Sequence, residues 1–362
     1  MSYFLGFLIV ISIIVIVHEF GHFATARLLK IKVDEFSFGF GKELYSYQKG
    51  EGTKFKFCAI PLGGYVKMAG DNDASSLKKD EKLKEMTEEE KKVCFHFQPL
   101  WKKFLVIFAG PFMNYFFAIV LLAGMYSFYG LMSIEPKVGD VMADSPALEA
   151  GFQKGDVITK INDEKINDFS EVKRVIIKYG YKAINVVVLR NGSEVNLSVT
   201  PKKIGDDLII GISSGADNKI SYEKIGVLRA IKESVNTAVQ LSVDTVVYLK
   251  QVITGKRSGE GMRGPLGIAE ASGQAFNQGI TTFLLFIVQI SIALGLFNLF
   301  PIPLLDGGHL VLYCIQGLRG GKELSEKSET VIAYIGFSFL MLILAYAMWN
   351  DISRIFMSIL GK

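Results

Sequence analysis

The chain has 362 residues, of which 50% are hydrophobic and 21% charged. That apolar average exceeds what a soluble domain needs, while 40 Lys+Arg and 36 Asp+Glu exceed what a bare membrane bundle carries, so membrane spans plus at least one soluble domain are expected. Disorder, collagen and a disulfide scaffold are excluded. A net charge of +4 gives no sign of nucleic-acid binding, and Cys58, Cys94 and Cys314 form no CxxC pair.

A membrane helix needs roughly 20 apolar residues. The first candidate opens the chain: Tyr3 to Val17 is uncharged, and the helical pattern continues to residue 29. With no basic n-region and no small-residue cleavage site, it does not read as a signal peptide. Residues 30–103 follow as a loop. Within it, 30–70 is rich in β-branched and aromatic residues broken by glycines, which predicts hairpins. Residues 78–92 are 12 of 15 charged and read as a solvated helix or loop. The second span is 104–134. Residues 137–203 read as an independent α+β domain, with strands at 186–189 and 195–199, an Asn191-Gly192 turn and a helix near 169–179. Region 204–279 is read as amphipathic and helical, from the spacing of apolar residues at 223–254. The third span covers 280–309, a loop 310–329, the fourth span 330–350 and a tail 351–362. Arg27, Lys30, Lys32 and Lys42 follow the first span, and Lys102 and Lys103 precede the second. Positive charge favours the cytoplasm, so 30–103 is expected there, with 137–279 and both termini outside.

The chemistry concentrates at His18-Glu19-Phe20-Gly21-His22. On a helix, positions i and i+4 share a face, so two imidazoles can hold one Zn²⁺ beside Glu19 as general base. Two of the four histidines lie in this pentapeptide, inside an apolar span where ionisable residues are costly. A catalytic zinc takes three protein ligands. His96 sits in the charged loop and reads as a surface or interfacial residue. Asp306 is the first charge after the third uncharged run, in Asn298-Leu-Phe-Pro301-Ile-Pro303-Leu-Leu-Asp306-Gly-Gly-His309. Prolines at membrane depth suggest broken helix lining a cavity. The first and third spans run parallel, so Asp306 can meet His18 and His22. His309, nearer the interface, is the weaker candidate.

These motifs resemble those of the site-2 proteases, intramembrane zinc metalloproteases, and more closely their bacterial regulator of sigma-E protease branch. His18–His22 matches the family's metal motif and residues 298–309 its second motif, which implies Asp306 as third ligand. Gly110-Pro111-Phe112-Met113-Asn114 resembles the signature of the second span. Phe38–Gly41 and Pro61–Met68 resemble the family's membrane-associated β-region, and Gly264–Ile268 a segment before the third span. Residues 145–151 with 155–158 resemble a PDZ domain. Only one fits here, whereas some relatives carry two.

The resemblance implies a polytopic α-helical membrane protein with four transmembrane helices, a membrane-associated β-region and an extracytoplasmic α+β PDZ domain. It implies a bacterial cytoplasmic (inner) membrane enzyme, with its active site toward the cytoplasm. Expected substrates are single-pass membrane proteins, such as anti-sigma factors, or remnant signal peptides, after an upstream site-1 cut. Asn298 is weighed evenly as a substrate-backbone ligand or a packing amide. Gly63, Gly64, Tyr65 and Val66 are expected to offer a sheet edge to an unwound substrate. Two other classes compete: a membrane metal-ion carrier, and a PDZ-bearing membrane scaffold. The absence of internal repeats and the base within the metal motif argue against the first. The buried HEFGH motif argues against the second.

Overall fold

The computed structural model describes residues 2–50, 52–70, 86–204, 207–215, 218–256 and 258–359. Among them, four helices are long and apolar enough to cross a membrane: Tyr3–Leu28, Leu100–Tyr129, Ile280–Asn298 and Lys327–Met357. The chain divides into two compact units. One comprises 1–122, 234–249 and 259–362, and the other 123–233 and 250–258.

The first unit begins with helix α1 (Ser2–Leu28), followed by strands β1 (Val33–Tyr47) and β2 (Lys54–Met68). The two long strands bend so that each pairs twice. Residues 35–38 lie between 54–57 and 64–67, and 43–47 pair with the outer side of 55–58. Two strands thereby make four antiparallel segments, with 64–67 at one edge. The bend before that edge falls at Gly63, whose φ of +112° is open to glycine and strained for other residues. Ser12 Oγ donates to Pro61 O at 3.1 Å. Ser12 lies six residues before His18, about 9 Å along the helix axis. The hairpin tip thus reaches beyond the metal motif along the first span.

Helix α2 (Glu88–Val93) carries a capping box between Thr87 and Glu90. It is the described part of the charged stretch 78–92; the remainder lies outside the described residues. Helix α3 (Leu100–Tyr129) starts earlier and ends sooner than the expected 104–134, because 131–134 is recruited into a sheet.

The second unit contains the four-residue helix α4 (Pro146–Glu149) and helix α5 (Phe169–Tyr179), capped by Asp168. Its described residues also form ten strands: β3 (Leu131–Ile134), β4 (Val138–Val141), β5 (Val157–Ile161), β6 (Glu164–Lys165), β7 (Ile184–Arg190), β8 (Ser193–Val199), β9 (Lys202–Ile204), β10 (Asp207–Ile209), β11 (Ile212–Ser214) and β12 (Ile220–Glu223). The main antiparallel sheet has the order β6-β5-β7-β8. Its inward residues, among them Ile158, Ile161, Val186 and Val188, pack on Val172, Val175 and Ile176 of α5. The Asn191-Gly192 turn joins β7 to β8 with both residues at positive φ (49° and 83°), the conformation a tight hairpin favours. Within 204–223, expected to be helical, the described residues form strands β10, β11 and β12 instead. β11 pairs with β4, and β12 with β3. Their partners lie some 70 to 90 residues earlier in the chain, which local periodicity cannot reveal.

Helix α6 (Val227–Ile253) is amphipathic and is followed by α7 (Pro265–Asn277). The third apolar helix, α8, ends at Asn298 rather than 309. Pro301 and Pro303 interrupt it, and a separate helix α9 (Asp306–Leu318) occupies much of the expected loop 310–329. The last helix, α10 (Glu326–Ile359), runs well into the expected tail.

Candidate metal centre

Two elements of the first unit bring His18, His22 and Asp306 together. Helix α1 presents the two imidazoles from successive turns of one face. Helix α9 presents Asp306 from its first residue. The approach to Asp306 is a tight reversal in which Leu304 adopts φ 77°, a left-handed value that costs a branched side chain about 1–3 kcal/mol. The reversal packs so closely that a Cβ at Gly307 would overlap the Phe300 and Leu299 carbonyl oxygens, and one at Gly308 the Ile302 carbonyl oxygen. The two glycines let the backbone double back and aim Asp306 at the histidines.

His18 Nε2 lies 3.1 Å from Asp306 Oδ2, His22 Nε2 lies 3.6 Å from the same oxygen, and the two Nε2 atoms are 3.3 Å apart. For zinc with ligand bonds of about 2.0–2.2 Å, neighbouring tetrahedral ligand atoms sit about 3.3–3.6 Å apart. The triangle therefore has the size of one tetrahedral face. Asp306 Oδ2 is fully buried and makes no hydrogen bond despite its close neighbours. An orphaned carboxylate oxygen facing two imidazole nitrogens is a donor set that fits a divalent metal ion. Among the described residues, this is the one cluster of three His, Cys, Asp or Glu side chains able to share an ion.

The surroundings fit the same task. Gly21 on α1 meets α3 so closely that a Cβ there would overlap the Ala109 carbonyl. A Cβ at Gly110 would overlap His22 Nε2 and crowd His18. Small residues thus let two helices touch where the imidazoles stand. His22 Nδ1 donates to the Val106 carbonyl at 2.8 Å, which leaves Nε2 free to bind metal. Glu19 accepts from the backbone N–H of Val66, so the base candidate is held by the edge segment of the hairpin. Tyr65, on the same edge, donates to Glu35 at 2.8 Å, and Glu35 pairs with Lys56 at 2.6 Å. Burial works against the Glu35 charge, but Lys56 and the Tyr65 hydroxyl more than offset it and hold its carboxyl below the usual range.

The other sequence candidates fall elsewhere. His96 faces Glu323 at 3.8 Å, away from the metal cluster. His309 stands on α9 beyond Asp306 and is not part of the cluster. The Asn298 amide donates to Leu294 O of its own helix at 3.1 Å, a packing bond. Val66 touches Glu19, and a Cβ at Gly64 would come within 3.7 Å of Glu19 Cγ. Sequence reasoning misses the parts played by Val106 and Gly110, whereas Asn114, polar at membrane depth, is legible as an amide able to bond a neighbouring span and here meets His18. The only signal for Gly110 was the glycine-proline-asparagine signature.

The peptidase family M50 profile matches residues 6–343. A protein of Rickettsia conorii named "Putative zinc metalloprotease" is 39% identical, with 97% of this chain and 99% of that protein covered. A protein of the same name from Mesorhizobium japonicum is 34% identical over 96% of this chain and 97% of its own. "Metalloprotease MmpA" of Caulobacter vibrioides is 29% identical over 96% and 94%. With its metal-binding geometry and four apolar helices, the chain belongs to peptidase family M50, the site-2 proteases, and is a multi-pass metalloprotease of that family.

Proposed function

We propose that the protein is an intramembrane zinc protease, which hydrolyses peptide bonds within or next to the transmembrane segments of other membrane proteins. The observation that carries this reading is the convergence of His18, His22 and Asp306 inside the span Tyr3–Leu28 and at the break after α8. His18 lies 15 residues from Tyr3 and ten from Leu28, about 22 Å and 15 Å from the two ends of the first span. Chemistry at that depth acts on chains in the bilayer.

His18, His22 and Asp306 would hold the zinc. When bound, zinc is a Lewis acid that polarises a carbonyl and acidifies nearby water. Glu19 takes the proton of the attacking water and delivers it to the leaving nitrogen. The Val66 N–H fixes the direction of the Glu19 carboxylate. A transmembrane substrate is helical with its carbonyls bonded internally, so it must unwind first. Among the described residues, no strand pairs with the outer side of 64–66, and an extended substrate can add along that edge by backbone pairing beside the Val66–Glu19 contact. Gly63, Gly64, Tyr65 and Val66 would then guide the substrate past Glu19. Asn298 serves packing in this scheme.

The positive-inside bias supports an inner-membrane orientation with both termini outside and the metal nearer the cytoplasm. The second unit then lies outside. Its sheet, its α5 helix and the motif at 145–158 support the PDZ reading, with a role in admitting substrates whose outer parts an upstream protease has trimmed. Anti-sigma factors and remnant signal peptides are the substrate classes that fit.

The test is cleavage of a membrane-spanning substrate by the purified full chain in liposomes. Glu19→Gln should retain zinc and lose activity by about 10²–10⁴-fold. Wild type that holds zinc but cleaves no transmembrane substrate would overturn the reading. It would favour the carrier or scaffold alternatives instead.

A further inference from the structure

Helix α3 carries Val106, Gly110 and Asn114 four residues apart, on one face. Each meets the imidazoles of α1 differently. Val106 O accepts a hydrogen bond from His22 Nδ1–H, and Gly110 leaves the room in which both rings stand. Asn114 is completely buried, and its amide lies 3.2 Å from His18 Nδ1. Ser291 Oγ of α8 donates to the Asn114 backbone carbonyl at 3.0 Å, pinning this turn of α3.

The Asn114 amide has two orientations that differ by exchange of O and N, atoms that occupy nearly the same space. In one, Nδ2 donates to His18 Nδ1, and Oδ1 is buried without a partner. His18 must then carry its proton on Nε2, which points at the Asp306 carboxylate and at His22 Nε2. In the other, Oδ1 accepts from His18 Nδ1–H, and the Nε2 lone pair is free. One amide atom goes without a partner among the described residues either way, so hydrogen-bond counting does not choose between them. Metal binding does choose, because an imidazole that ligates through Nε2 keeps its proton on Nδ1.

We propose that Asn114 is a positioning residue for the metal centre: its side-chain oxygen accepts a hydrogen bond from His18 Nδ1–H and holds the ring in the tautomer that offers Nε2. Val106 does the same for His22 through its backbone. Both tautomers are thereby set by one helix that supplies no ligand. The inference rests on the reading that His18 is a zinc ligand.

The experiment measures zinc affinity of the detergent-purified full chain by competition with a chromophoric chelator, in wild type, N114L, N114D and H18A. Leucine matches asparagine in size and cannot accept a hydrogen bond. N114L should bind zinc about 10–100-fold more weakly. Aspartate keeps an oxygen at the same place, and N114D should stay within about threefold of wild type. Rescue by N114D separates acceptance of the hydrogen bond from mere filling of space. Thermal unfolding of the metal-free chains checks that the variants fold. If N114L does not, N114A replaces it with the same expected loss. Wild-type affinity in N114L, or equal weakening in N114L and N114D, would overturn the proposal. Undiminished zinc binding by H18A would instead overturn the ligand assignment beneath it.

Discussion

The two units of this chain both bury apolar clusters but differ in the polar groups they bury with them. In the second unit the buried set is mostly apolar, with Val138, Ile158, Ile161, Val186 and Val188 at its centre, its buried Asp156 is paired with Arg190, and β8 alternates inward apolar with outward polar residues. In the first unit His18, His22, Asn114 and Ser291 are buried, while Phe112, Phe116, Leu342 and Trp349 are more than half exposed. The second unit is built against water, where burial of apolar area drives folding. The first is built against hydrocarbon. Apolar side chains gain nothing there by turning inward, so small residues and polar contacts hold the helices together. Polar groups can therefore gather at the centre of that unit, and a metal site arises where a water-soluble domain would put its core.

Four substitutions sharpen this contrast. Gly110→Ala should have the largest effect. Alanine favours a helix by about 1 kcal/mol over glycine. At this place, however, its methyl group overlaps His22, and zinc binding should be abolished, as read by metal content after purification. Normal zinc content would show that the helices separate at no cost. Ile158→Ala removes a fully buried side chain from the water-built core and should destabilise that unit by about 2–5 kcal/mol. Hydrogen exchange should report the loss across β5, β7 and β8, while zinc content stays unchanged. Val66→Pro removes the N–H that holds Glu19 and should reduce cleavage about tenfold or more with zinc retained. Unchanged cleavage would remove both the orienting contact and the substrate-edge idea.

The smallest effect belongs to Glu35. Its carboxyl is held below the ordinary value by Lys56 and Tyr65. A depressed folded-state pKa contributes stability above the unfolded value of 4.5, and that stability disappears as pH falls through the folded value. Glu35→Gln should therefore lower the thermal midpoint slightly near pH 7, and the difference should vanish in acid. Because the carboxylate is partly exposed, the contribution is below about 1 kcal/mol.

The metal site was readable in the sequence because each part obeys a local rule. Histidines four apart share a helix face, and an aspartate after paired prolines marks a broken span. The spans were readable because hydrocarbon demands long uncharged runs, although their ends were not. Pro301 and Pro303 end α8, a new helix starts at Asp306, and long-range pairing with β12 draws 131–134 into a strand. The double pairing of β1 and β2, the strands at 212–214 and 220–223, the contact of Val66 with Glu19 and the support of His22 by α3 were illegible. Each joins residues far apart in the chain, and no local pattern encodes the meeting.

The proposed function puts peptide-bond hydrolysis at a metal held within the bilayer. Its sharpest test is the mass of the products when the full chain, loaded with zinc in liposomes, cuts a single-pass substrate. The expected fragments end inside or at the edge of the substrate's transmembrane segment and are absent with Glu19→Gln. Fragments ending only in water-exposed parts of the substrate, or cleavage that persists in Glu19→Gln, would contradict it.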